Sequence, residues 1–440
     1  MVTKNKKPFD KGIRIYNLFP RIVGPMHLWK KHAENAAKMG FNWIYVNPFH
    51  YPGFSGSLYA PKDYYRFNPL FLSSEKADGW EELKSFIDDT KKMGLKLMMD
   101  LVINHTAIDS DLTKIHPEWY KRDSNGKIVS PSAIDPADAR NVTVWGDLGE
   151  IDNENSSDKN ALWQYWKELL TKYIKTGFEG FRCDAAYQVP ESLWIKLIGG
   201  AKKKNKTLLF LAETLGCSEE ALVPIARSGF DYIYNSSKWW DFESDWCLNQ
   251  YNMTRKFAPS ISFPETHDTP RLAEEYNGNE QILKQRYLFS AIFSKGLFMP
   301  MGYEYGFRKR MNVLHSMPSD WENIHCDLRG FIKSVNKIKK TYKIFNEECF
   351  QELIQLNNTA ILALEKVSQD NNQKCLILLN KDNNSSQSCT VEDFSGVICS
   401  PGVQKLSFDN GKEQIEYLST NQPYEFNLKP SEIIIVLSSA

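Results

Sequence analysis

Over its first 300 residues the chain alternates short apolar runs with stretches whose apolar residues recur at helical spacing. That alternation predicts a parallel sheet whose strands are joined by helices. Eight strands are expected, at 13–19, 42–49, 95–102, 180–184, 208–213, 230–234, 260–267 and 297–303. Several follow a helix that ends in glycine. Ala37-Lys-Met-Gly40 precedes Phe41 and Lys92-Met-Gly94 precedes Leu95, where glycine supplies a left-handed C-cap. Eight strands separated by helices predict an α/β fold closed into a (β/α)₈ TIM barrel.

Two segments break this rhythm. Residues 105–157, after the third strand, are rich in Asp, Asn, Ser and Pro. A connection of that length is usually functional, and an inserted subdomain over the barrel mouth is the simplest account. After about residue 345 the pattern changes to short alternating strands, as in Ala360-Ile-Leu-Ala-Leu-Glu365, Lys374-Cys-Leu-Ile-Leu-Leu-Asn380 and Glu432-Ile-Ile-Ile-Val-Leu437. Turns rich in Asn, Ser and Gly divide them, as in a small antiparallel β-sandwich. The expected organisation is a barrel over 1–104 and 158–344, an inserted subdomain over 105–157, and a C-terminal β-sandwich over 345–440. A chain of 440 residues accommodates these parts.

Charge changes the picture by exclusion. Lys plus Arg and Asp plus Glu are both 54, so no net field recruits nucleic acid or an anionic membrane. A neutral polar ligand suits this balance better. The 12 Trp and 20 Tyr could stack on sugar faces, although most are expected in the core. The start Met-Val-Thr-Lys-Asn-Lys-Lys-Pro-Phe-Asp lacks the apolar stretch of a signal peptide. The eight cysteines, at 183, 217, 247, 326, 349, 375, 389 and 399, have no paired or metal-finger spacing. Free thiols in the cytoplasm are the expectation.

In a barrel of this kind catalytic groups lie at the C-terminal strand ends. Asp100 and His105 fall at or after the third strand, Arg182 and Asp184 on the fourth, Glu213 on the fifth, and His267 with Asp268 on the seventh. Three carboxylates and an arginine converging there have the composition of a glycoside-cleaving site. A nucleophilic carboxylate must be ionised, and Arg182 lies two residues from Asp184, on the same strand face. Glu213 follows the apolar run Leu208-Leu-Phe-Leu-Ala212, where desolvation raises a carboxyl pKa towards that of a working acid.

Four segments carry a resemblance. Asp100-Leu-Val-Ile-Asn-His105, Gly180-Phe-Arg-Cys-Asp-Ala-Ala186, Phe210-Leu-Ala-Glu213 and His267-Asp268, in this order, resemble the signature segments of the α-amylase family of glycoside hydrolases (family 13). Tyr59-Ala-Pro-Lys-Asp-Tyr64 is similar to the family's Tyr-x-x-x-Asp-Tyr segment, and Asp147-Leu148 to a short segment closing its insertion. The resemblance implies Asp184 as nucleophile, Glu213 as acid/base and Asp268 as the third carboxylate that holds sugar hydroxyls. Tyr59, His105, Arg182 and His267 would line the subsite on the non-reducing side of the cut. No cofactor is required for the chemistry. Asn104 and Asp147 stand where many members bind a structural calcium.

Some positions depart from the family pattern. Tyr187 and Gln188 replace the Lys and His that often make acceptor-side contacts, and Pro264-Glu-Thr266 replaces a segment whose usual residue before His is Asn. Tyr16-Asn-Leu-Phe-Pro-Arg21, Val46-Asn-Pro-Phe-His50 and His116-Pro-Glu-Trp-Tyr120 look more like the maltose-1-phosphate maltosyltransferase branch. The expected activity is retaining cleavage or transfer of α-1,4-linked glucosyl or maltosyl units, with an α-glucan or maltooligosaccharide as partner. The alternatives are a maltosyltransferase using maltose 1-phosphate and a catalytically inactive glucan-binding protein. Trp239-Trp240, after the sixth strand, reads either as a stacking platform or as packing.

Overall fold

The computed structural model describes residues 11–135, 138–392, 394, 402–409, 411–419 and 423–438. Eight parallel strands close into a barrel: β1 (Arg14–Leu18), β2 (Trp43–Val46), β3 (Lys96–Leu101), β4 (Gly180–Cys183), β5 (Leu209–Ala212), β6 (Tyr232–Tyr234), β7 (Ser260–Ser262) and β8 (Gly296–Pro300). Each pairs in parallel with the next, and β8 pairs with β1. All eight strands expected from the apolar runs are present, each shorter than its run.

The largest difference concerns β7, which ends at Ser262 rather than at 267. Beyond it the chain is held by side chains instead of a ladder. The buried Glu265 carboxylate accepts the Leu272 N–H at 2.6 Å and pairs with Arg271 at 2.7 Å. His267 and Asp268 therefore sit on a loop and not on a strand.

Between the strands run α1 (Trp29–Lys38), α2 (Gly79–Lys92), α3 (Lys159–Thr176), α4 (Glu191–Lys204), α5 (Glu219–Arg227), α6 (Trp246–Thr254) and α7 (Glu280–Phe293); α8 (Arg329–Thr341) follows β8. Gly40 and Gly94 adopt φ of 88° and 73° just after α1 and α2, as the C-cap argument requires. The Asp78 carboxylate accepts the N–H groups of Trp80 and Glu81 and so starts α2. Ile15, Trp43, Tyr45, Met98, Leu211, Tyr232, Ile261 and Phe298, drawn from every strand but β4, fill the barrel interior.

The long connection after β3 is built from two antiparallel pairs, His105–Ala107 with Leu148–Glu150 and Ser132–Asp135 with Asp138–Val144. After α8 come β9 (Phe350–Ile354), β10 (Ile361–Val367), β11 (Lys374–Asn380), β12 (Gln387–Val391), β13 (Gly402–Asp409), β14 (Lys412–Ser419), β15 (Tyr424–Leu428) and β16 (Ile433–Ser438). Six form an antiparallel sheet in the order β9-β10-β11-β16-β13-β14, and β12 pairs with β15. Leu376, Leu378, Ile434 and Val436 of the first sheet share an apolar cluster with Cys389, Phe426 and Leu428 of the second.

Two buried lysines join this region to the barrel. Lys339 of α8 donates to the carbonyls of Ala291, Ser294 and Phe345, each at 2.7 Å, and Lys366 of β10 donates to those of Ile292 and Phe293. Both ammonium groups cap the C-terminal end of α7, where carbonyls lack intrahelical partners and the helix dipole is negative. Burial pushes both lysine pKa values down. No helix among the described residues is long and apolar enough to cross a membrane. Cys183, Cys217, Cys247, Cys326, Cys349, Cys375 and Cys389 are free thiols; Cys399 lies outside the described residues.

Candidate active site

Arg182 on β4 lies in register with Asp100 on β3, which brings the two side chains together at the barrel mouth. One guanidinium nitrogen, Nη1, donates to Asp100 Oδ1 at 2.9 Å and to Asp184 Oδ1 at 2.6 Å. Nη2 stands 3.9 Å from Glu213 Oε2. Burial opposes the charge on Arg182, but Asp100, Tyr45, Tyr59 and Asp184 outweigh it and hold its pKa well above the ordinary value. Both carboxylates expected to react thus face a permanently charged arginine.

Glu213 follows β5 and is nearly buried. The Leu215 N–H donates to its Oε1 at 2.6 Å and the Ala185 N–H to its Oε2 at 3.0 Å. Ala185, directly after Asp184, adopts a left-handed φ of 41°. Such a backbone costs about 1–3 kcal/mol in a residue with a Cβ, and here it aims an N–H at Glu213. Burial pushes the Glu213 pKa up to about 7, with the charges of Asp184 and Asp268 adding to it; Arg182 and the Leu215 N–H oppose. A group with that pKa can give and take a proton near neutrality.

Asp268 is the exposed member, its side chain 54% accessible. The Thr266 hydroxyl accepts the Asp268 N–H at 3.2 Å and so shapes its loop. His267 Nε2 lies 3.1 Å from Asp268 Oδ2 and 2.7 Å from the Tyr59 hydroxyl. Burial, and then the Arg182 charge, lower the His267 pKa to about 3, so the imidazole is neutral and Nε2–H is a donor to both. The Tyr59 ring lies parallel to His267, with centroids 5.8 Å apart. Its hydroxyl donates to Asp100 Oδ2 at 2.6 Å and accepts from Asn47 Nδ2 at 3.0 Å. Tyr45 also donates to Asp100 Oδ2. His105 Nε2 donates to the Tyr59 carbonyl at 2.9 Å, and burial keeps its pKa below the usual value.

These groups open on one cleft of about 690 Å³. Tyr59, His105, Asp147, Arg182, Asp184, Tyr187, Glu213 and Asp268 all line it. Asn104 is buried and His267 nearly so, beside this wall. Tyr45 of β2 and Asn47 just after it, which brace Tyr59 and Asp100, are not picked out by sequence reasoning because they belong to one otherwise apolar run. Trp145, Leu215, Trp239, Val313 and Leu314 also line the cleft. Of these, Trp239 alone carries a sequence signal. A second cavity of about 360 Å³, between α7 and the C-terminal strands, is lined by lysines as well as acids, among them Lys284, Lys429, Asp409 and Glu432.

Asn104 Nδ2 donates to Gln188 Oε1 at 2.7 Å, and Gln188 Nε2 to the Ser132 carbonyl at 3.3 Å. Asn104 Oδ1 is buried and has no hydrogen-bond partner among the described residues. An orphaned amide oxygen of this kind is compatible with a hard cation. His116, Glu118 and Asp158 form a separate half-buried cluster at the start of α3, away from the cleft.

The chain matches a sequence family described as "Glycogen debranching enzyme, glucanotransferase domain" over residues 8–125. It is 24% identical over 342 residues to "Alpha-1,4-glucan:maltose-1-phosphate maltosyltransferase" of Burkholderia pseudomallei, covering 74% of this chain and 29% of that protein. Against the protein of that description from Methylacidiphilum infernorum the identity is 23%, with 87% of this chain and 61% of the relative covered. A "Cyclomaltodextrinase" from a Bacillus species is 20% identical, with coverage of 84% and 68%. The chain thus spans between 29% and 61% of these two maltosyltransferases. Among solved structures, a maltogenic alpha-amylase from Thermotoga neapolitana superposes with a TM-score of 0.78 at 22% identity, covering 98% of this chain and 99% of that one.

Proposed function

We propose that this chain, a member of the α-amylase family, is a retaining enzyme that cleaves or transfers α-1,4-linked glucosyl or maltosyl units of glucans and maltooligosaccharides. The observation that carries the reading is one arginine facing two unlike carboxyl groups: Asp184 paired with it at 2.6 Å, and Glu213 with its pKa near 7. Asp184 attacks the anomeric carbon while Glu213 gives its proton to the departing glycosidic oxygen. The C1–O bond breaks as the ester bond to Asp184 forms. Glu213, now an anion, takes a proton from an incoming water or sugar hydroxyl, whose oxygen displaces Asp184 with a second inversion. Asp268 and His267 hold ring hydroxyls, Tyr59 stacks on the sugar, and Tyr187 contributes to the acceptor wall.

The charge of the cleft favours a neutral donor over maltose 1-phosphate. Among the described lining residues Arg182 is the one lysine or arginine, and it is already bonded to Asp100 and Asp184. A dianionic leaving group would instead face Asp147, Asp184, Glu213 and Asp268. The buried oxygen of Asn104 and the Asp147 carboxylate would hold a structural calcium, with no part in the bond changes. Seven free thiols suit a reducing compartment, and the cytoplasm is the location we propose.

Product analysis tests the reading. Maltooligosaccharides alone should give shorter and longer glucans whose new reducing ends are initially α by proton NMR, and maltose 1-phosphate should add no product. Initial β-anomers, or turnover confined to the phosphate donor, would replace this assignment.

A further inference from the structure

Two adjacent tryptophans after β6 have opposite environments. Trp240 is buried among Phe242, Phe289 and Phe293, and its indole N–H donates to the Ser244 carbonyl at 2.8 Å. Trp239 is 51% exposed and lines the cleft that contains Glu213 and Asp268. Burial accounts for Trp240. It does not account for a large apolar ring held open to solvent at a catalytic mouth.

The ring of Trp239 is held in place from below. The carboxamide nitrogen of Asn235 donates to the hydroxyls of Ser260, Ser262 and Ser294, and Asn235 Oδ1 accepts the Ser237 N–H at 3.1 Å. Lys238 is buried and pairs with Glu275 at 2.8 Å. Phe263 meets the indole at 86° with centroids 6.1 Å apart and the Lys238 ammonium stands 5.9 Å from the ring centroid, while half of the residue's surface stays open to the cleft and solvent. The platform is therefore preorganised before any ligand arrives.

Its position around the mouth selects a side. Asp100 of β3 and Arg182 of β4 form one polar knot with Tyr59 and His267, from the connections after β2 and β7. Trp239 follows β6, between Glu213 after β5 and Asp268 after β7, and shares its wall with Leu215. Under the glucan-active reading, a chain whose scissile oxygen meets Glu213 would leave the knot in this direction.

We propose that Trp239 is the stacking platform for the glucose unit on the leaving-group side of the cleft, and for the acceptor sugar that replaces it. This rests on the glucan-active reading above. The apolar face of a pyranose covers the indole, while its hydroxyls stay within reach of Glu213 and solvent.

The test compares Trp239→Ala and Trp239→Phe with the unaltered protein on maltooligosaccharides and on an α-glycosyl fluoride, whose leaving group has no ring to stack. Trp239→Ala should raise KM for maltooligosaccharides about tenfold or more and lower the share of transfer products, with a loss on the fluoride several-fold smaller. Trp239→Phe should recover most of the difference. Equal losses on both substrates, or an unchanged maltooligosaccharide KM, would overturn the proposal. An unaltered protein inactive on both would instead overturn the glucan-active reading, and this inference with it.

Discussion

On the side of the cleft formed after β2, β3, β4 and β7, polar groups meet at contact distance: the Tyr59 hydroxyl alone touches Asp100, Asn47 and His267. On the side formed after β5, β6 and β8 the wall is Leu215, Trp239, Val313 and Leu314, with Trp145 from the long connection. The first surface matches one sugar in one orientation, since a misplaced hydroxyl would leave buried polar groups unpaired. The second offers area without a dense hydrogen-bond pattern, and under the proposed function it would tolerate glucans of different length, or water in their place. Under the proposed function, selectivity for the donor and latitude for the acceptor would follow from this contrast.

The contrast breaks most completely at Asp184. Asp184→Asn keeps the size of the side chain but removes the attacking charge, so kcat should fall by at least about 10⁴-fold. Calorimetric affinity for maltooligosaccharides should stay within about tenfold. Near-normal turnover, with deamidation excluded by mass spectrometry, would take the nucleophile away from Asp184. Glu213→Gln should cost about 10³-fold on glucans and far less on glycosyl fluorides, which scarcely need a proton.

The pH profile sharpens the same point. With its pKa near 7, Glu213 carries the proton below that value and loses it as pH rises. The maltooligosaccharide kcat/KM should therefore decline through about pH 7, and the fluoride should lack that limb. An identical limb for both substrates would assign it to another group.

A smaller effect separates the two walls directly. Tyr59→Phe retains the ring but removes the hydroxyl shared by Asp100, Asn47 and His267, and should lower kcat/KM by about 10- to 100-fold. Val313→Ala, on the sparse wall, should change it by less than about threefold. Similar losses from both would abolish the distinction. The smallest effect expected is that of calcium: removal with a chelator should lower Tm by a few degrees, restored by the ion, and an unmoved Tm would exclude the Asn104–Asp147 site.

The barrel was legible because an all-parallel strand buried on both faces is an apolar run and little else can produce eight of them in alternation with helices. Strand ends were less so. Phe263 prolongs the apolar pattern of β7, while the interaction that ends the strand, Glu265 with Arg271 and the Leu272 N–H, exists only in three dimensions. Asp184, Glu213 and Arg182 were readable as hard-to-bury groups at strand ends. Tyr45 and Asn47 were not, because a polar atom within an apolar run has meaning only when its partner on a neighbouring element is known. Trp239 and Trp240 were equivalent in sequence, and which one faces the cleft is decided by a buried asparagine and its three serines.

The lysine caps on α7 have a consequence for how the chain is made. α7 ends at residue 293, but the ammonium groups that satisfy its terminal carbonyls belong to residues 339 and 366. On a ribosome every barrel strand is synthesised before either lysine emerges. The end of the seventh helix is then capped in two stages, by Lys339 once α8 has emerged and by Lys366 only with β10, so its last two carbonyls depend on sequence outside the barrel.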